Sequence, residues 1–222
     1  LLIYKITVMK FGIIGSGKVG QTLATALLTE GHEVMLGTRD VSNPGVISWR
    51  INNPTGLVGY FVEAAAFGEG IVLAVKGSKV VEVVQQIGSS LFASKLVIDV
   101  TNPIADIPPI NGVLSFFTGP NESLMEIIQA NMPDAKVVKA FNSIGTDLMY
   151  KPAFNDGWPS MFICGNDDEA KELVKNILTS FGWDTEDMGK IEAARAIEPL
   201  CILWCIPGFI RNHWSHAFRL MV

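Results

Sequence analysis

Cysteine is scarce in this 222-residue chain: Cys164, Cys201 and Cys205 are the only three. An odd number without a C-x-x-C pair excludes a disulfide framework and points to a reducing, cytoplasmic compartment. Histidine is equally rare, and His32, His213 and His216 stand too far apart for shared chemistry. Each reads as a surface or packing residue. Cys201 and Cys205 share a helical face, but with no third ligand nearby they read as small buried hydrophobes and no metal site is expected. Four residues beyond Tyr4, Tyr60 and Tyr150 stand Val8, Ala64 and Phe154, so the Tyr-x-x-x-Lys pair of short-chain dehydrogenases is missing. Charged residues make up 18% of the chain and the net charge is −5, which argues against a nucleic-acid partner. The longest late apolar run, Pro199 to Ile210, contains Pro207 and falls short of the ~20 residues of a membrane helix, so no membrane partner is expected. No basic leader or cleavage site opens the chain. Met9 reads as a natural start, leaving residues 1–8 as an upstream addition or an extension of the first strand.

What is present is a core-forming composition, 49% hydrophobic, with short apolar runs alternating with helical stretches. That rhythm predicts an α/β, Rossmann-type, doubly wound and mostly parallel sheet. A dinucleotide-binding domain is expected over 1–150, and a short C-terminal strand-helix extension over 151–222, packed on the same sheet. Strands are predicted to end at Gly15 and to cover Glu33–Gly37, Ile71–Val75, Lys95–Val100, Lys136–Phe141 and Pro159–Cys164. Between Asp167 and Phe181 the apolar residues recur at helical spacing on one face. The proline-rich stretch Pro103–Pro120 reads as a long loop at a strand's carboxyl edge, where functional loops of such sheets sit.

The chemistry begins at Gly15-Ser16-Gly17-Lys18-Val19-Gly20, a G-x-G-x-x-G placed between an apolar strand and a helix. The first glycine permits a tight turn, the second lets the backbone approach a pyrophosphate, and the third lets the helix pack close to the strand. Free N–H groups at the helix start then attract the phosphates. Lys18 either adds charge there or is simply solvated. Where an NAD-preferring chain carries Asp or Glu at the end of strand two, this one carries Thr38-Arg39. Arginine offers a planar, permanently charged fork to a 2′-phosphate, and the threonine hydroxyl can donate beside it, so NADP(H) is favoured. Asp40 reads as a turn residue or a partner for Arg39.

Together with Asp99-Val100-Thr101-Asn102-Pro103 and Val138-Lys139-Ala140-Phe141-Asn142-Ser143, these motifs resemble the coenzyme F420-dependent NADP oxidoreductases from about Lys10 to Ile206. The module is similar to the NADP-binding part of pyrroline-5-carboxylate reductases and to the cytoplasmic part of STEAP-type metalloreductases. The resemblance implies that the nicotinamide lies across Ala74-Val75, Asn102-Pro103 and Ala140-Phe141-Asn142. It also implies that Ile144 and the Arg195–Trp204 helix border the cleft. In that family the helix continues past the position of Trp204, whereas Pro207-Gly208 is expected to interrupt it here.

Hydride transfer between two planar heterocycles requires alignment and a dry pocket rather than an acid, base or nucleophile. No catalytic side chain is therefore assigned. The expected reaction passes a hydride between NADPH and a small redox acceptor, coenzyme F420 or a flavin. The alternative is a non-catalytic NADP(H)-binding redox sensor or partner subunit. Trp204, Phe209, Trp214 and Phe218 read either as a dimer contact or flap, or as core packing; a homo-oligomer is expected.

Overall fold

The computed structural model describes residues 8–221. The predicted strand extension at the chain start lies largely outside them; Val8 and Met9 precede the first strand, and Met9 O accepts from Glu33 N at 3.0 Å. The first half alternates strand and helix: β1 (Lys10–Ile14), α1 (Lys18–Thr29), β2 (Glu33–Thr38), α2 (Pro44–Asn52), β3 (Leu57–Tyr60), α3 (Phe61–Phe67), β4 (Gly70–Leu73), α4 (Gly77–Ile87) and β5 (Leu96–Asp99). After the long loop come α5 (Leu124–Asn131), β6 (Lys136–Lys139), β7 (Ser160–Gly165), α6 (Asp168–Ser180), β8 (Asp184–Asp187), α7 (Ala194–Ile197) and α8 (Leu200–Arg211).

The eight strands form one sheet in the order β3-β2-β1-β4-β5-β6-β7-β8. Every pairing is parallel except β6 with β7. The order reverses between β1 and β4, and in such sheets a crevice opens at that point beyond the strands' carboxyl ends. The central strands are buried along almost their whole length, as sheets covered on both faces require. On one face Leu23, Leu27, Val174 and Leu178 of α1 and α6 pack with Phe11 and Ile13. On the other, Val80, Val84 and Ile128 of α4 and α5 pack with Ile71 and Val97.

Helix starts follow their local chemistry. Asn43 accepts from Gly45 N at 2.9 Å with Pro44 in the first turn of α2. Asp167 accepts from Ala170 N at 2.8 Å at α6, and Ser123 and Glu126 form a reciprocal capping box at α5. Such caps satisfy N–H groups that no helix can satisfy internally.

The C-terminal region departs from the sequence reading. Pro207-Gly208 does not interrupt α8, which runs to Arg211 and stops at Asn212 in the left-handed conformation, φ 50°. Proline removes one helical N–H bond, and the carbonyl it leaves, on exposed Leu203, can turn to water. Gly208 serves packing: a Cβ there would stand 2.3 Å from the Trp214 ring. The tail folds back on the helix, with Trp204 Nε1 donating to His216 O at 2.8 Å and the His216 ring stacked on Trp204 at 5.0 Å. Trp204 is consequently core, while Phe209 and Trp214 stay partly exposed. A 3₁₀ turn at Ile191–Ala193 and α7 lead into α8, so the apolar helical stretch is longer than the run visible in sequence. Ile191–Arg211 spans 21 residues at mean hydropathy 1.5, a third of its most apolar window buried in the protein. By length and composition alone that stretch matches a membrane span, a property shared by core helices of many proteins.

His32 is a packing residue. Its Nδ1 accepts from Met9 N at 3.2 Å and its ring meets Phe11 edge-on at 5.1 Å. Burial pushes its pKa down, against a smaller upward pull from Glu30.

Candidate functional site

The groove lies where the switch point predicts. Gly15 at the end of β1 and Ala74-Val75 at the end of β4 form its floor, α1 starts beneath it, and the β2–α2 turn and α4 form its sides. One chamber of about 480 Å³ is lined by Gly15, Ser16, Gly17, Thr38, Arg39, Asp40, Lys76 and Lys79 among others. A second, of about 240 Å³, shares Ala74, Val75 and Lys76 and continues to Val19, Val100, Thr101, Asn102 and Ile104. The two form a single trough along the sheet's carboxyl edge. A separate hollow of about 660 Å³ between α2 and β3, lined by Val46, Ile47, Ile51 and Val58, contains none of the motif residues.

The cradle glycines have different reasons to be glycine. Gly15 has φ 126°, and a Cβ on it would stand 2.5 Å from Ala74 O. On Gly20 a Cβ would stand 1.9 Å from Gly15 O, so both positions are dictated by the fold. Gly17 is not. Its φ of −74° suits any residue, and a Cβ there would meet no protein atom within 4 Å. Neither backbone conformation nor packing within the protein requires glycine there, so the main chain at Gly17 is left open to close approach from the groove. The start of α1 is also left open: Gly17 supplies no capping side chain and no acidic residue stands in the first turn. Backbone N–H groups and the positive end of the helix dipole therefore face the groove, and the residues fit a dinucleotide pyrophosphate.

The Thr38 hydroxyl is already engaged, accepting from Ser16 Oγ at 2.9 Å and lying 3.2 Å from both the N and the O of Asp40. In the free protein these bonds tie the two turns together at the edge of the first chamber, which Thr38 helps to line. Asp40 takes the turn role too, accepting from Ser42 N at 2.9 Å and Ser42 Oγ at 2.6 Å. These bonds hold the Asp40 carboxyl below its usual range. Arg39 is exposed at the mouth of the first chamber.

Other predicted positions stand behind the groove. Pro103, Ala140, Phe141 and Asn142 are buried, and Lys18 and Gly20 belong to α1 outside the lining. Phe141 takes φ 59° and its ring lies 6.0 Å from Phe181 in the core. Asn142 reaches the groove indirectly: Asn102 Nδ2 donates to Asn142 O at 2.7 Å, and Asn142 Nδ2 to Ile197 O at 2.9 Å. Ile144 is also core, and Arg195 is engaged on the surface with Glu126 at 3.0 Å. Lys76 and Lys79 escaped the sequence reading. Lys76 pairs with Asp106, and Lys79 with Glu82 at 3.0 Å. Their signal was available, since any residue just after β4 at a switch point faces the crevice.

Residues 10–103 match the model of the family described as NADP oxidoreductase coenzyme F420-dependent. The crystal structure of a candidate F420-dependent NADP-reductase from Arthrobacter sp. FB24 superposes with a TM-score of 0.88 at 31% identity, covering 96% of this chain and 100% of that one. The chain belongs to the F420-dependent NADP oxidoreductase family. Metalloreductase STEAP3 of Rattus norvegicus is 29% identical over 208 residues, covering 90% of this chain and 39% of the relative. Metalloreductase STEAP2 of Homo sapiens is 27% identical over 197 residues, covering 88% and 36%. This F420-family chain thus spans well under half the length of those metalloreductases. NADP(H) is the cofactor that goes with the family, and the open α1 terminus and Arg39 agree with it.

Proposed function

We propose that this oxidoreductase holds NADP(H) along the trough and passes a hydride between it and a deazaflavin or flavin stacked at the second chamber. The observation that carries the reading is Gly17, the one cradle glycine that the protein's own conformation and packing do not require. On this reading the N–H groups at the start of α1 bind the pyrophosphate and Arg39 binds the 2′-phosphate, while Lys76 and Lys79 on the α4 side are charge-balanced by Asp106 and Glu82 and would reach the cofactor by exchanging those partners. Val19, Val75, Val100 and Ile104 give the second chamber an apolar lining that excludes water, and Thr101 and Asn102 form its polar wall. When bound, NADPH supplies a hydride to the acceptor and becomes NADP⁺, with a solvent proton completing the reduced acceptor. The protein's part is alignment and exclusion of water, which by themselves account for large accelerations.

The test is NADPH oxidation followed optically with coenzyme F420, FMN, FAD and a ferric chelate in turn, the last because the relatives above are metalloreductases. Oxidation with F420 or a flavin supports the reading. Tight NADPH binding without turnover on any acceptor would leave an NADP(H)-responsive binding module instead.

We also propose that two copies meet through the exposed face of α8 and the long loop. Ile210 is 60% and Ile110 69% exposed, and a Cβ on Gly112 would stand 2.9 Å from Ile210, so the loop that carries Ile110 packs against α8 at Ile210.

A further inference from the structure

Behind the Thr101-Asn102 wall lies a charge cluster. Lys139, inside the apolar run Val137–Phe141, is fully buried, and a lysine in a sheet core must be paired. Its Nζ lies 2.6 Å from Asp99 Oδ2 on the neighbouring strand and 2.8 Å from Glu198 Oε1 just beyond α7. It also donates to Thr101 O at 3.0 Å. Asp99 Oδ1 accepts from Thr101 N at 2.9 Å and Thr101 Oγ1 at 2.7 Å. The Asp99–Lys139 pair therefore holds every polar group of Thr101. Glu198 accepts from Leu124 N at 2.9 Å and Met125 N at 3.0 Å, in the first turn of α5. Glu198 thus accepts at both oxygens and Asp99 at Oδ1, while Asp99 Oδ2 has the Lys139 ammonium as its charge partner but no hydrogen bond. Burial by itself would lower the Lys139 pKa, but the two carboxylates outweigh it and hold the ammonium above the ordinary lysine value.

Two negative groups face one positive group, leaving one negative charge in excess. The N-terminal dipole of α5, equivalent to roughly half a positive charge, offsets part of it. Stability alone does not call for such a cluster, because well-packed apolar residues often replace buried ion triads without loss.

We propose that the Asp99–Lys139–Glu198 triad is a positioning device that fixes the Thr101-Asn102 wall and places excess negative charge behind it, favouring the oxidised, cationic nicotinamide over the neutral reduced one. The inference rests on the proposed function, with the nicotinamide lying between that wall and the acceptor. Loss of hydride would leave a positive ring, and a ring held at that wall would feel the excess charge behind Thr101. At an effective dielectric of about 20, one unit charge at such a remove changes the NADP⁺/NADPH affinity ratio roughly five- to thirtyfold.

The test compares dissociation constants for NADP⁺ and NADPH, by calorimetry and NADPH fluorescence, in the wild-type chain, Glu198→Gln, Asp99→Asn and Thr101→Val. Glu198→Gln and Asp99→Asn each remove one negative charge from opposite sides of Lys139. Each is expected to weaken NADP⁺ relative to NADPH by that factor. Thr101→Val removes a contact but no charge, so its ratio should stay within about twofold of wild type while kcat falls. Melting curves identify a variant that does not fold, and the other then carries the comparison. An unmoved ratio in a folded charge variant that still binds NADPH overturns the proposal. Loss of folding in both assigns the triad to stability alone and overturns it equally. Failure of the wild-type chain to bind NADPH overturns instead the placement on which it rests.

Discussion

Replacing Gly17 by alanine separates a ligand's demands from the fold's. With φ −74° and no protein atom within 4 Å of the added methyl, the variant meets no steric cost in the free protein. The unfolded chain loses some entropy, worth ~0.4–1 kcal/mol in favour of the fold, against roughly 0.5–1 kcal/mol lost because alanine is a poorer N-cap than glycine, and the two nearly cancel. The melting temperature is therefore expected to stay within about 3 °C of wild type. The methyl does project into the groove where the pyrophosphate would touch the backbone. Overpacking by one carbon costs about 1–3 kcal/mol, so the NADPH dissociation constant should rise roughly 5- to 150-fold. Gly20→Ala should do the reverse. Its Cβ would lie 1.9 Å from Gly15 O, forcing α1 off β1; a cost of about 2–4 kcal/mol lowers the melting temperature by roughly 5–15 °C. Differential scanning fluorimetry and NADPH fluorescence titration read the two effects separately. Wild-type NADPH affinity in Gly17→Ala, or a loss of stability matching that of Gly20→Ala, would refute the reasoning.

Arg39→Asp should weaken NADPH by about 1.5–3 kcal/mol, roughly 10- to 150-fold, and improve NADH, as titrations with both cofactors will show; equal losses for both would remove Arg39 from the 2′-phosphate. Light scattering at micromolar concentration should report a dimer, and Ile210→Asp a monomer; a wild-type monomer contradicts the proposed contact. Because the folded-state pKa of His32 is lowered, the unfolded chain takes up the proton first as pH falls. Stability carried by His32 is thus present above the unfolded value near 6.5 and is lost below it. A melting temperature falling between pH 7 and 5 in wild type, and less in His32→Gln, checks this. That window lies above the range in which the depressed carboxyls of Glu30 and Asp167 matter.

The parallel sheet was legible because its strands are buried on both faces and read as unbroken apolar runs between helices. The glycine cradle was legible because its chemistry is local, three backbone demands at fixed spacing. Long-range partnerships were not. Lys139 in an apolar strand signals that a carboxylate must come to it, but nothing near it in sequence indicates Glu198, which arrives from beyond α7. Thr38 presents the same difficulty: whether its hydroxyl faces a ligand or Ser16 depends on two turns meeting in space. The continuation of α8 through Pro207 depends on the exposure of Leu203 and on Trp214 folding back over Gly208, both tertiary facts.

Hydride transfer itself can be followed with NADPH deuterated at C4 of the nicotinamide on the transferred face, which is found by labelling each of the two faces in turn. Incubated with this protein and oxidised coenzyme F420 or a flavin, the label is expected to leave the nicotinamide only when both protein and acceptor are present. It should appear at C5 of the reduced deazaflavin, at a rate that falls in Gly17→Ala at subsaturating NADPH. Label that stays on the nicotinamide with every acceptor, while NADPH binds tightly, would contradict the account.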